Sequence, residues 1–574
     1  MENREIACLL AETADLMEIA AEDGFRIRSY RNAAGTIEGY PERLAAIAKD
    51  PARKLTDVPG VGKGIASIVC EILERGTFEK RDQLLEKYPP TALELLKIQG
   101  LGPKSIALLF EHFRVSTIDD LERLCKEQRL RTLPRMGAKL EEKVLRSIEQ
   151  YRSSTGRYLL PHAQTVAEEL SQYLLQTPGV EKVTVAGSLR RGRETIGDLD
   201  IVVCGPSAND ALERFVKFPR VHEVLASGGN KASAKIGVDR VQVDVRAVPA
   251  ESYGAAMQYF TGSKDHNVAL RQRALRVGLT LNEYGLFRLE TNERVAGVDE
   301  AGIYAALGLP WIPPELRENC GEFDAAEAGT LPELVHPRDI RGDVHMHTRE
   351  SDGRLSLEEM AEECRQLGYE YIAITDHSKA LAMANGLDEN RVVAFARKVR
   401  EMDQSGLGIR VFSGIECDIL RDGTMDLANE ALAELDWVIG SVHSHMGIEP
   451  AEMTDRLLRA LECPYLHVFG HLTGRLLLHR EGYTFDFERV ATEAARRGVW
   501  FEVNASPERL DIYGPLLRTA KSKGCRFVIS TDAHHPKHLR NMPYGVLTAR
   551  RGWLTADDVM NTRPLAEFEE AIKR

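Results

Sequence analysis

The chain has 574 residues, with 75 Lys and Arg against 87 Asp and Glu, for a formal net charge of −12. At the usual ~100–200 residues per domain the length implies three to five domains, and 43% apolar with 28% charged residues excludes global disorder. The acidic balance on its own argues against a phosphate-rich partner. It is a sum over domains, however: residues 1–338 carry −4 and residues 339–574 carry −8. The nine cysteines are scattered without a CxxC pair, which reads as reduced thiols in a cytosolic protein. The start, MENREIACLL, lacks the apolar core of a signal peptide. No apolar run approaches the ~20 residues of a membrane span, so a membrane partner is not expected.

In chain order, residues 1–150 predict helices, with apolar positions three and four apart at Ile6, Leu9, Leu10, Ala14 and Met17. Two similar units follow, LTDVPGVGKGIASIVCEIL at 55–73 and LLKIQGLGPKSIALLFEHF at 95–113. A third, LRTLPRMGAKLEEKVLRSI at 130–148, has Arg135 in place of the first glycine. Each reads as a short helix, a tight hairpin and a second helix. Gly60, Gly62, Gly100 and Gly102 let the backbone turn sharply and approach a ligand closely. The free N–H groups of the following helix aim at the same spot, a geometry that binds phosphate without reading bases. This is the helix-hairpin-helix pattern of non-specific DNA-binding proteins, with plain helix packing as the bland alternative. Ten Lys or Arg across 123–157 supply basic surface, so DNA affinity is expected to fall steeply with salt despite the acidic balance.

The middle region mixes helices and strands. In VEKVTVAGSLRRGRETIGDLDIVVC (180–204) a strand leads to Gly187 and Ser188, then Arg190 and Arg191, then a second strand opened by Asp198 and Asp200. Residues two apart on a strand share a face, so the two carboxylates point together. In RVQVDVRAV (240–248) Val241, Val243 and Val245 form one face, and Gln242, Asp244 and Arg246 the other. Asp198, Asp200 and Asp244 are three candidate catalytic oxygen ligands, suited to two hard ions, Mg²⁺ or Mn²⁺. A Pro-, Glu- and Ala-rich stretch at 313–338 then reads as a linker.

Beyond it strand-like runs alternate with helical ones: DVHMHT, YIAITDH, VFSGIE, WVIGSVH, YLHVFGH, WFEVNAS and FVISTDAH. Seven such repeats imply parallel strands with helices outside, a barrel with its chemistry at the C-terminal strand ends. Eleven of the 16 histidines fall in this part. His345, His347, Asp352, His377, Glu416, His443, His471, Asp532 and His534 stand at or just past successive strand ends. Taken singly each is weak; together they suit two or three transition-metal ions, Mn²⁺ or Zn²⁺ rather than Mg²⁺. His445, His467, His479, His535 and His538 read as structural or surface residues.

Two resemblances cover nearly the whole chain. The GS–RRG–GDLD–VDV series, with YFTGSKDHNVALRQRA (259–274) and LTLNEYGLF (279–287), resembles the nucleotidyltransferase palm and thumb of family X DNA polymerases. The histidine-rich part resembles the polymerase and histidinol phosphatase (PHP) domain, a distorted (β/α)7 barrel holding three metals with the nine positions named above. The resemblance implies a multidomain α+β and α/β fold: helical helix-hairpin-helix domains at 1–85 and 86–152, a palm at 153–247, a nucleotide-binding thumb at 248–315, a linker at 316–338 and a PHP barrel at 339–574. It further implies that Ser188 and Arg191 hold the triphosphate of a dNTP and that Tyr259 and Phe260 lie under its sugar. Gly262 belongs to that nucleotide-binding segment, Asn267 meets the base edge and Arg271 the template side. The implied activity is filling of short DNA gaps in repair on gapped or primer-template DNA, by a monomer in the nucleoid-bearing cytoplasm. A 3′→5′ exonuclease, with abasic-site endonuclease or 3′-phosphatase action, would accompany it. In one respect the chain departs from some family X members: where they carry a Schiff-base lysine, the helix 64–73 has Ile68, so a lyase of that kind is not expected. Two other readings stay open, a phosphatase of a small ester and a non-catalytic DNA end-binding scaffold.

Overall fold

A computed structural model describes residues 1–574 except Glu2, Gly39, Pro41, Pro51, Ala52, Pro59, Arg135, Thr155, Gln404, Ser405, Leu407 and Arg574, and the side chains of Arg4, Glu149, Gln150 and 152–154. The hairpin residue Pro59 and the glycine replacement Arg135 therefore lie outside the described residues. The chain divides into two compact units, Met1–Thr155 and Gly156–Arg574.

The first unit is helical. Its three repeated units each run from a 3-10 turn into an α-helix: Leu55–Asp57 into Lys63–Arg75, Pro90–Lys97 into Pro103–Phe113, and Leu130–Thr132 into Ala138–Ser154. Apolar side chains from Ile6 to Ile148 form one continuous core. The segments 1–85 and 86–152 thus share a single interior, because each short amphipathic helix needs its neighbours to cover its apolar stripe. Gly60 and Gly100 have φ of +76° and +96°, and a Cβ on Gly100 would lie 2.8 Å from Leu140. Gly62 and Gly102 are the N-cap residues of the helices that follow, with open space where a side chain would stand.

In the second unit β1 (Tyr158–Leu159) pairs with β3 (Thr195–Ile196) as a small ribbon beside a five-stranded sheet. That sheet comprises β2 (Lys182–Val185), β4 (Asp198–Cys204), β5 (Val221–Gly228), β6 (Lys231–Ile236) and β7 (Val241–Val248), in the order β2-β4-β7-β6-β5. β4 and β7 run parallel at its centre, with Asp200 in register with Asp244. Their apolar residues are buried on both faces: Leu199, Ile201 and Val203 against helices Leu160–Leu175 and Ala208–Phe215, and Val202 and Val248 against Ala256 and Met257. A three-stranded antiparallel sheet follows, β8 (Leu279–Asn282), β9 (Gly285–Arg288) and β10 (Arg294–Ala296).

The stretch expected as a linker is instead a packed strap. It carries a helix, Glu322–Glu327, and buries Leu316, Phe323 and Leu334 in the core beside β8 and β9. Arg317, fully buried, pairs with Glu300 at 2.6 Å. Its Pro and Glu content predicts a spacer, but Leu316, Phe323, Ala326 and Leu334 bury themselves in the core beside β8 and β9 and make it part of the fold.

The remainder is a parallel seven-stranded sheet in sequential order: β11 (Gly342–Asp343), β12 (Tyr371–Ile374), β13 (Arg410–Asp418), β14 (Trp437–Ser441), β15 (Val468–Phe469), β16 (Trp500–Asn504) and β17 (Phe527–Ser530). A parallel bridge between Met346 and Ala533 brings its ends together, giving a nearly closed barrel. Tyr371, Phe412, Trp437, Val468 and Trp500 fill one end around Phe568 of the last helix, Leu565–Ile572, so the interior is solid and the free end is the one where the strands finish.

Candidate metal centres

Strand geometry builds the first site. Asp198 and Asp200 alternate with buried Leu199 on β4, and the parallel register sets Asp244 of β7 beside Asp200 on the same face. Gly187 closes the space: its φ is +62°, and a Cβ there would lie 2.6 Å from Asp200 Oδ2. Burial, reinforced by the Asp198 and Asp244 carboxylates, pushes the Asp200 carboxyl up to about 6. Three carboxylates held on one face in this way suit a divalent cation. Lys231 of β6 reaches Asp244 Oδ2 at 2.6 Å, while Asp244 Oδ1 is buried with no hydrogen-bond partner. The sequence reading overlooked Lys231. Its signal was weak, a lone lysine on a strand 13 residues upstream.

The segment around Gly262 faces the turn Gly187–Arg190. Arg190 donates to Thr261 Oγ1 and to both Glu300 oxygens. Arg191 donates to the Thr261 carbonyl and to Glu318. Gly262, at φ +70°, abuts Arg191, where a Cβ would lie 3.1 Å from its Nη1. Tyr259 and Phe260 meet edge to face at 5.1 Å, with the Arg246 guanidinium 4.3 Å over the Phe260 ring. Asn267 is buried and spends both ends of its amide locally, accepting from Gln258 and donating to the Tyr259 carbonyl, each at 2.7 Å. It braces the Gln258–Asn267 segment from within rather than facing outward. Ser188 sits in the Gly187–Arg190 turn and Arg271 is exposed on the helix Lys264–Arg276.

The second site is assembled where the barrel strands finish and from the loops just past them. β11 stops at Asp343, and the HMH segment runs on as extended chain, hydrogen-bonded to Ala533. His345 and His347 are fully buried. Three groups have ligand atoms within 4.8 Å of one another: His347, Asp352, His377 and His534; His345, His347 and Asp532; and His377, Glu416 and His443. His471 completes the set, its Nε2 2.9 Å from Glu416 Oε1. All nine donors picked out in the sequence therefore converge, with His347, His377 and Glu416 between the others. Asp352 arrives from a loop held by close approach: a Cβ on Gly353 would lie 2.2 Å from the His347 carbonyl oxygen.

His345 Nε2, His347 Nδ1 and His471 Nδ1 are buried without a hydrogen bond, and the two buried Glu416 oxygens meet only histidine nitrogens, among them His377 Nδ1 at 2.8 Å and His471 Nε2 at 2.9 Å. These orphaned atoms on facing side chains fit divalent metal ions. Burial opposes ionisation of Glu416, yet His443, His377 and His345 outweigh it and hold that carboxyl well below its usual range. Burial likewise opposes a charge on His443, but Glu416 and Asp418 push its imidazole up to about 10.

A supporting layer escaped the sequence reading. His345 Nδ1 donates to Glu502 at 2.6 Å, which turns Nε2 toward the cluster. The same carboxylate accepts from the His471 N–H and from Ser530. Asp376 accepts from Thr348 and Ser351 and so fastens the Asp352 loop. Glu502 did carry a signal, one carboxylate inside the otherwise apolar strand WFEVN. His467, read as structural, is so: it accepts from the Val438 N–H and meets the Ile572 carbonyl.

Comparison with known proteins matches four stretches of the chain to family models. The family models for a helix-hairpin-helix domain, a SAM-like helix-hairpin-helix tandem, the DNA polymerase beta thumb and the PHP domain match residues 1–78, 92–150, 256–318 and 343–506. The chain is 35% identical to the DNA polymerase/3′-5′ exonuclease PolX of Bacillus subtilis (strain 168) over the whole of both chains. It is 27% identical to DNA polymerase lambda of Arabidopsis thaliana over 55% of this chain and 62% of that one. A probable phosphatase of Acetivibrio thermocellus is 28% identical over 40% of this chain and 95% of its own length. With 35% identity over the whole of both chains, and hairpin, thumb and PHP models matching in turn, the chain belongs to the PolX family of PHP-bearing family X DNA polymerases.

Proposed function

We propose that this chain is a DNA-directed DNA polymerase that fills short gaps during DNA repair, and that its barrel is a metal-dependent 3′→5′ exonuclease. One observation carries the proposal: two sites of different donor chemistry stand in a chain that aligns throughout with a protein named for both activities.

In the palm, Asp198, Asp200 and Asp244 would hold two divalent ions, Mg²⁺ or Mn²⁺. Such ions lower the pKa of a primer 3′-hydroxyl and neutralise a triphosphate. Asp198 and Asp200 would serve both ions and Asp244 the 3′-hydroxyl side. Ser188 and Arg191 bind the triphosphate of the dNTP, Gly262 lets the chain pass close to it, and Tyr259 and Phe260 pack under the sugar. Asn267 orders the segment that meets the base, and Arg271 faces the template. Gly60, Gly62, Gly100 and Gly102 bring backbone N–H groups to DNA phosphates. In the barrel, the nine donors from His345 to His534 would hold two or three ions, Mn²⁺ or Zn²⁺, and Glu502 keeps His345 in its ligating tautomer. The enzyme works as a monomer on gapped or primer-template DNA in the nucleoid-bearing cytoplasm. Among the described residues no helix is long and apolar enough to cross a membrane.

The test is primer extension on a gapped duplex, with and without dNTPs. Alanine at Asp198 and Asp200 should abolish extension and leave 3′→5′ degradation. Alanine at His345 and His347 should do the reverse. Loss of both activities in a folded single-site variant would refute separable sites. Borohydride trapping on a 5′-deoxyribose-phosphate substrate should fail, since Ile68 occupies the lyase position.

A further inference from the structure

The barrel touches the nucleotide turn of the palm directly, through the helix that leaves its own metal loop. Helix Met542–Arg551 begins eight residues after His534. Its Leu547, with Tyr544, packs into the palm core. The fit is close: Gly192 has φ +66°, and a Cβ there would lie 2.4 Å from Leu547. At the end of the helix Arg550 donates to Glu315 and to the Val335 carbonyl, at 2.8 and 3.0 Å, gripping the strap. Arg551, only 9% exposed, donates to the Arg191 carbonyl at 3.0 Å and to Glu318 Oε1 at 3.1 Å. Glu318 Oε1 also accepts from Arg191 Nε at 3.2 Å.

One carboxylate is thus shared by an arginine of the palm and an arginine of the barrel. We infer that Arg551 is a positioning residue for polymerisation, holding Arg191 in place and available for the nucleotide triphosphate. Two physical effects act together. The bond to the Arg191 carbonyl fixes the turn that aims its side chain. With Arg551 at 3.1 Å and Arg193 at 3.8 Å also on Glu318 Oε1, that carboxylate does not neutralise Arg191 completely, so positive charge remains for an incoming anion. The barrel is in this sense part of the polymerase site.

The inference rests on the assignment of Arg191 to triphosphate binding, and the experiment separates the two. Single-nucleotide gap filling by the full chain is measured for the wild type, Arg191→Ala, Arg551→Met and Arg551→Lys, with 3′→5′ degradation in the absence of dNTPs as the control for a folded barrel. Arg551→Met should raise KM for dNTP about tenfold, the weight of one charge-assisted hydrogen bond, with kcat within about twofold. Arg551→Lys, which keeps the charge but cannot make both bonds in the same geometry, should lie between. If Arg191→Ala raises KM and Arg551→Met leaves it at the wild-type value, the inference is wrong. If Arg191→Ala itself leaves KM unchanged, the assignment of Arg191 fails and the inference falls with it. Should Arg551→Met not fold, a wild-type KM for Arg551→Lys overturns the inference in its place.

Discussion

The palm and the barrel both gather ligands for divalent ions, but they do so in opposite ways. The palm uses three carboxylates on two adjacent strands, with Asp198 exposed and Lys231 leaning on Asp244. The barrel draws nine donors from six of its strands and the loops just past them and buries most of them, supported by Glu502, Asp376 and Asp418. A hard, half-open site with few protein ligands relies on substrate phosphates to finish its coordination. A buried site rich in imidazole is complete by itself and must hold its ions to relieve its own orphaned atoms. On the proposed function, the same chain separates a site that its substrate would complete from one that its metal would complete.

The strongest way to break this comparison is reciprocal substitution. His345→Ala should lower exonuclease turnover at least about a thousandfold while gap filling stays within about threefold, and Asp200→Ala should invert the pattern. Measuring both activities on the same preparations decides it; parallel loss would mean one shared site. Chelation is the next test. After treatment with EDTA and dialysis, Mg²⁺ alone should restore extension, whereas degradation should return only with Mn²⁺ or Zn²⁺. Restoration of both by Mg²⁺ would erase the contrast in donor chemistry.

A supporting residue sharpens the contrast further. Glu502→Gln should weaken metal retention in the barrel by about 10- to 100-fold, the usual weight of a carboxylate behind a ligating histidine. Metal content after gel filtration reads this, and extension should not change. The smallest effect concerns acid stability on the palm side. Burial opposes a charge on Glu300, but its hydrogen bond from Arg190 and the charge of Arg317 hold its carboxyl down at about 2. A carboxyl depressed in the folded state contributes stability above its unfolded pKa near 4.5. That contribution is lost as pH falls from there toward 2, and amounts to roughly 3 kcal/mol. Glu300→Gln should flatten the pH dependence of chemical denaturation between pH 5 and 3; an unchanged slope would remove Glu300 from the account.

Much of the site was legible because strands have a period of two. Asp198 and Asp200, and the six runs that carry His, Asp or Glu at or near their ends, announce themselves wherever charge interrupts an apolar alternation. The departures arose where composition was read without packing. The stretch 313–338 has the composition of a spacer, yet Arg317 is fully buried in an ion pair with Glu300 and Glu322 in a hydrogen bond with His266. No local pattern announces a partner 17 or 56 residues away. Glu502 was passed over because a carboxylate inside a strand is visible in sequence but its purpose is not.

The sequence by itself determined the local chemistry: hairpin glycines before helix N-termini, carboxylates sharing one strand face, and histidines at the ends of successive strands. These follow from backbone periodicity and side-chain type, which are properties of short segments. Only the tertiary structure decided which segments meet: Asp200 beside Asp244, nine donors around Glu416, the strap under Arg191, and Arg551 of the barrel on a glutamate that the palm also uses. Those pairings depend on strand register and on which apolar faces bury one another, and such long-range choices are set by the whole core rather than by any stretch of chain.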